Sequence, residues 1–233
     1  MKRLVRTFKE KWPEYLLEIL VITMGILGAY MLNNWNENRK SDRATRDALV
    51  NVLEDLRQDS IQFRFHVNNS TQLAANLAKT IDILLNNGSE DSLEFYYNRS
   101  RGYLVATVQN SAFRSMNQLG LVPKISNDSL RYGLMRYYDF LQPNVRALRE
   151  FEYTRLESSV RQINTVEAID KEATTFDDLQ LDYQIVRVLL LQPENLKRLY
   201  DYRETQQFLV IRAQRYSNTN ANLIRQLDAY LKD

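Results

Sequence analysis

Apolar positions along this chain fall into one unbroken run followed by a series of helical stripes. The run, residues 16–32, reads LLEILVITMGILGAYML and carries one charge, Glu18. A helix over 14–34 rises about 30 Å, the thickness of a bilayer's hydrocarbon core. The run therefore predicts a transmembrane helix. Trp12, Tyr15 and Trp35 flank it where aromatic rings anchor at membrane–water interfaces. Beyond it, Ala48, Leu49, Val52, Leu53 and Leu56 keep a helical period, which predicts a stalk or first bundle helix over 35–67. Asn68-Asn69-Ser70 reads as a break and a new N-cap. Leu73, Leu77, Ile81 and Leu84 form the next stripe, closed by Asn86-Asn87-Gly88-Ser89 with Gly88 as the expected left-handed cap. The two stripes predict an antiparallel helical hairpin.

Residues 92–109, with Tyr96, Tyr97, Tyr103 and Val105, fit either strand or helix. Helix and loop is the reading adopted, because a lone strand pair is marginal in water. Asn110 or Ser111 caps a short helix ending at Gly120, and Asn127 caps a helix through Leu141 that Pro143 breaks. Val145, Leu148, Leu156, Val160, Ile163 and Val166 form a stripe, 173–177 a cap or loop, and Leu181, Ile185, Val188 and Leu189 a helix ending before Pro193. The last helix has the most regular pattern. Leu199, Tyr202, Gln206, Leu209, Ala213, Tyr216, Asn220, Leu223, Leu227 and Tyr230 alternate at spacings of three and four. That is a seam for bundle or coiled-coil packing, and Gln206 and Asn220 are polar residues of the kind that fix register or partner. The expected fold is all-α: one N-terminal transmembrane helix continuing into an extramembrane helical bundle, with 68–233 as the helical domain.

Composition sharpens this picture. Six glycines and four prolines in 233 residues favour helices over a turn-rich β fold. The absence of cysteine excludes disulfides and thiolate chemistry, and a lone histidine, His66, excludes a histidine metal cluster within one chain. Charge is uneven. Lys2, Arg3, Arg6, Lys9 and Lys11 crowd the leader, residues 1–13, whereas from Asn36 onward 26 basic residues face 26 acidic ones. A formally neutral domain argues against nucleic acid as a partner.

In the leader, Leu4, Phe8 and Trp12 share one helical face among the basic residues. The leader reads as a short helix on anionic headgroups, or as a disordered basic segment. Pro13 fits a break or a first helical turn before the span. A cleaved signal peptide is the rival to an anchor, but no small-residue cleavage site closes the run. Arg39, Lys40, Arg43 and Arg46 after the span are diluted by Glu37, Asp42 and Asp47, so the charge bias places the N-terminus in the cytoplasm and the domain in the periplasm of an inner membrane. One face of the span carries Glu18, Ile22, Gly25, Ala29 and Asn33. Gly25 and Ala29 form a small-xxx-small pair that admits a second helix, so the expected partners are the bilayer and a protein or a second copy on this face. Glu18 then pairs within that interface or moves protons, or else reaches headgroups at the cytoplasmic boundary.

Glu18, Ile19, Val21, Gly25, Ile26 and Ala29, closing with Asn33-Asn34-Trp35-Asn36-Glu37, resemble a Gram-negative bacterial family of single-span membrane proteins, a domain of unknown function. The stretch Asn110-Ser111-Ala112-Phe113-Arg114-Ser115-Met116, then Gly120, Ile125, Leu130 and Tyr137-Tyr138, is similar to a second landmark of that family. The resemblance implies a membrane location and no activity.

No phosphate-binding glycine loop, nucleophile elbow or zinc-protease motif occurs in the chain. His66 reads as structural, and Glu90-Asp91 and Asp177-Asp178 as capping acids. Arg131, Tyr132, Arg136, Tyr137 and Tyr138 line a groove or snorkel over the surface. The expected protein has no catalytic residues, metal or cofactor. It is a non-enzymatic envelope protein, an accessory or scaffold subunit; the alternative is a ligand-sensing bundle that signals through a partner.

Overall fold

The computed structural model describes residues 2–102, 107–159, 162, 163, 165, 168 and 181–232, with the backbone alone for 2–11, 13 and 14. Residues 103–106, Val160, Val166 and the segment 173–178 lie outside the described residues. The described chain is helical, and its axis is α1, Lys2–Leu85, a single helix of 84 residues. Two expected interruptions are corrected. Pro13 is neither a break nor a first turn, because α1 starts at Lys2 and runs through it, the fixed φ of proline being helical. Asn68-Asn69-Ser70 does not end it either, so the boundary drawn between 35–67 and 68–233 falls inside one helix. Ser70 is buried there and the Thr71 hydroxyl donates to the Val67 carbonyl at 2.7 Å, so these polar side chains are absorbed by the helix instead of capping a new one. The helix ends where Asn87 takes φ 51° and the Gly88 N–H donates to the Ile83 carbonyl at 2.9 Å. Asn87, not Gly88, is the left-handed residue of this end, since a short amide side chain tolerates that conformation.

Shorter helices pack back against α1. They are α2 (Glu90–Ser100), α3 (Ser111–Gln118), a 3-10 turn at Val122–Lys124, α4 (Asp128–Arg136), α5 (Gln142–Ser158) and α6 (Tyr183–Leu191). Residues 92–100 are thus helical. Gly120 closes α3 at φ 66°, with the Leu121 N–H bonded to the Met116 carbonyl at 3.0 Å. Asn127 caps α4 through its side-chain oxygen, 2.9 Å from the Leu130 N–H. Pro143 does not break the chain after Leu141, a further correction. Residues Tyr137–Leu141 form a π turn in which the Gln142 N–H reaches back to the Tyr137 carbonyl, and α5 follows directly. The wider turn accommodates a proline that lacks an N–H and would crowd the carbonyl four residues back.

The long C-terminal helix α7, Pro193–Lys232, runs antiparallel to α1 instead of the expected hairpin partner from 68 onward. Arg46 donates to the Leu231 carbonyl, Arg57 pairs with Asp228 at 3.1 Å, and the Phe63 and Tyr216 rings lie 6.2 Å apart. Two apolar cores are threaded on this pair. The nearer to the apolar run gathers Leu49, Leu56, Met116, Leu134 and Leu227; the farther gathers Leu77, Leu93, Leu156, Leu190 and Leu199. Each fully buried side chain of this size contributes roughly 1.5–3 kcal/mol.

Candidate functional site

Two regions of α1 depart from ordinary core or surface. The first is the apolar run. None of its most apolar window is buried, and Leu17, Ile19, Val21, Met24, Ile26 and Met31 are all more than half exposed. Water does not tolerate such a sleeve around a folded domain, so the sleeve requires a cover. Glu18, Ile22, Gly25, Ala29 and Asn33 are exposed along one side of it. No neighbouring atom lies within 4 Å of a Cβ built on Gly25, so this face is open to a second helix. Trp12 and Tyr15 stand exposed at one end of the sleeve and Trp35 at the other, with the Arg39 guanidinium 5.6 Å from the Trp35 ring. Asn33 donates to Glu37 at 3.1 Å and so closes the run with a local polar pair.

The second region is a set of polar groups sealed into the α1–α7 seam. Asp59 is fully buried and accepts from the Gln109 N–H and from the Tyr137 hydroxyl, each at 2.7 Å. Asn220 donates to the Tyr137 oxygen at 3.1 Å and to the Leu56 carbonyl at 2.9 Å. Farther along, between the two apolar cores, buried Glu152 accepts from Gln206 at 3.3 Å. Beside Glu152 is a void of about 20 Å³ lined by Phe63, His66, Leu209, Ala213 and Tyr216, room for one water. Leu199, Tyr202, Gln206, Leu209, Asn220, Leu223 and Leu227 of the seam are buried, and Tyr216 is half-buried. Asn220 Oδ1 and Gln206 Oε1 are buried without a hydrogen-bond partner among the described residues.

Burial sets the proton affinity of the two acids. It pushes Asp59 up to about 6, against the pull of the Gln109 N–H and the Tyr137 hydroxyl, with Asp55 adding a smaller upward push. It pushes Glu152 up to about 7, opposed by the Gln206 amide. Burial, and then the charge of Asp59, raise Tyr137 as well, so it stays a neutral donor. Both carboxyls hold a proton more tightly folded than unfolded. Their contribution to stability is complete below about pH 4, where both states are protonated, and is lost as pH rises through 6 and 7. Urea unfolding of the detergent-solubilised chain is expected to lose up to about 4 kcal/mol between pH 5 and pH 8, and Glu152→Gln to remove more than half of that slope. Stability that is flat or rising over this interval contradicts the burial of the two acids.

The buried acids are the residues that pattern reading passed over. Their signal was present in the spacing: Asp59 lies on the 52–56–59–63 stripe and Glu152 on the 145–148–152–156 stripe, positions that face inward whatever their chemistry. Among the described residues no three His, Asp or Glu side chains are placed to hold a metal ion. Glu90 and Asp91 occupy the first turn of α2, where Ser89 accepts from the Ser92 N–H at 3.3 Å.

An all-helical domain built on a helix whose first part is long and apolar enough to cross a membrane defines the class of this protein. Within that class the chain belongs to the DUF6090 family, a family of unknown function, whose model matches residues 18–140. The match begins inside the apolar run at Glu18 and ends in the π turn at Phe140. No curated protein and no solved structure matches the chain.

Proposed function

We propose that this chain is a single-pass protein of a Gram-negative inner membrane, with its N-terminus in the cytoplasm and its helical domain in the periplasm, and that it serves as a non-enzymatic accessory or scaffold subunit. The observation that carries the reading is continuity: the bare apolar sleeve and the core-forming stretch from Leu49 to Leu84 belong to one helix. A rigid anchor of this kind holds a docking domain at a fixed height above the bilayer. Glu18, Ile22, Gly25, Ala29 and Asn33 form the face through which a second span packs.

Crosslinking in native membranes followed by mass measurement tests this. A stoichiometric protein partner or a second copy is expected, and Gly25→Leu is expected to reduce the crosslinked species at least about tenfold while the domain stays folded, because a leucine side chain holds the backbones apart. Unchanged assembly in Gly25→Leu would leave the span as a tether only.

A ligand-sensing bundle is the second reading. A groove of about 530 Å³ between α4 and α7 favours it, with Arg136, Arg212 and Arg215 over a floor of Phe140, Leu141 and Leu223. A small molecule that co-purifies with the domain, and no protein partner, is the outcome that selects this reading.

A further inference from the structure

The end of the domain nearest the apolar sleeve holds a basic basin that neither the span nor the seam accounts for. Its volume is about 490 Å³, and its walls come from three parts of the chain. Arg39, Arg43 and Arg46 stand on α1, Lys124 on the 3-10 turn, and Tyr230 near the end of α7. Asp42 is the one carboxylate among the lining residues. Two nearby acids are paired outside the basin, Asp128 with Arg131 at 2.5 Å and Asp228 with Arg57 at 3.1 Å. Arg46 covers the Leu231 carbonyl at the negative end of α7, which removes a group that would repel an anion. The Ser126 and Tyr230 hydroxyls share a hydrogen bond at 3.0 Å, which leaves one O–H of the pair as a neutral donor at the rim.

Position gives this basin its ligand. Arg39 lies five residues past Asn34, so its Cα is about 7 Å beyond the hydrocarbon edge. Helical side chains lean toward the N-terminus, which on α1 is toward the sleeve. Arg39 does so, with its guanidinium over the Trp35 ring. That places its charge in the headgroup layer, which extends roughly 5–7 Å outside the hydrocarbon core. Arg43 follows one turn higher on the same side and Lys124 closes the basin from the domain.

We propose that this basin binds the phosphate of an anionic phospholipid headgroup, with Arg39, Arg43 and Lys124 as its charged ligands and the free O–H of the Ser126–Tyr230 pair as a donor. The inference rests on α1 crossing the bilayer. A headgroup held here ties the foot of the domain to the membrane surface at a second point.

The test uses the full chain in nanodiscs of phosphatidylcholine mixed with phosphatidylglycerol, with native mass spectrometry counting the lipids retained. Phosphatidylglycerol is expected to be enriched about fivefold over its bulk share, and an R39Q/R43Q/K124Q variant to retain lipids in bulk proportion. K124Q alone, in an exposed turn outside α1, is expected to lower the enrichment about twofold, and it carries the test if the triple variant does not fold. Bulk-proportion retention by the wild type, or enrichment undiminished in K124Q and the triple variant, overturns the proposal. Complete loss of enrichment in millimolar inorganic phosphate at constant ionic strength also overturns it, since the basin then prefers a free anion to a headgroup. Alkaline carbonate extraction separates the two readings: a chain that washes off the membrane refutes the bilayer crossing, whereas one that resists without lipid enrichment refutes the headgroup site alone.

Discussion

Asn68→Pro is expected to destabilise the domain by about 3 kcal/mol or more, although Asn68 is exposed and lies in a stretch that resembles a loop. Proline there removes the hydrogen bond to the carbonyl of Arg64 and drives its ring against that carbonyl, in the interior of an 84-residue helix. Asn68→Ala is the control. It keeps the backbone bond, improves helix propensity, and is expected to change stability by no more than about 0.5 kcal/mol. Urea unfolding followed by far-UV circular dichroism measures both. Equal stability of the proline and alanine variants would mean that α1 is two helices.

Leu56→Ala is expected to cost about 2–5 kcal/mol. Leu56 is fully buried in the nearer core, to which α7 contributes Leu223 and Leu227, and its carbonyl accepts from Asn220 of α7. The cavity left by truncation cannot collapse easily between two long helices that are pinned at several levels. Val50→Ala, at a position 51% exposed on the same helix, is expected to change stability by no more than about 0.5 kcal/mol. A comparable loss in both variants would contradict the placement of the nearer core on the α1 side that faces α7.

Much of this architecture was legible because helices write their burial into sequence at a fixed period. The seam of α7 could be read residue by residue, since Leu199, Tyr202, Leu209, Leu223 and Leu227 recur at spacings no other element produces. Asn127 and Gly120 were legible because a cap needs particular chemistry at one position. The errors came from polar residues whose role depends on tertiary context. Asn68-Asn69-Ser70 has the composition of a break, yet neighbours packed on both sides of it hold the helix through. Pro143 has the chemistry of a stop, yet a π turn one step earlier takes up the distortion. Asp59 and Glu152 look like solvent-facing charges until other elements deliver their partners: Gln109 and Tyr137 lie 50 and 78 residues from Asp59, and Gln206 lies 54 residues from Glu152. No local pattern encodes donors at such separations. The basin at the foot of the domain was hidden for the same reason, since Lys124 and Tyr230 reach the arginines of α1 only in the folded chain.

The absence of a hinge between the sleeve and the far core makes α1 a lever. From Leu32 to Leu85 the helix rises about 80 Å. A span tilted by about 20° from the bilayer normal, a common value, then carries the far core roughly 27 Å sideways. Bilayer thickness changes that tilt, because a fixed apolar length leans further in a thinner membrane. On the proposed bilayer crossing, the lateral reach of the domain, and so the radius within which it meets a neighbour, becomes a readout of bilayer thickness.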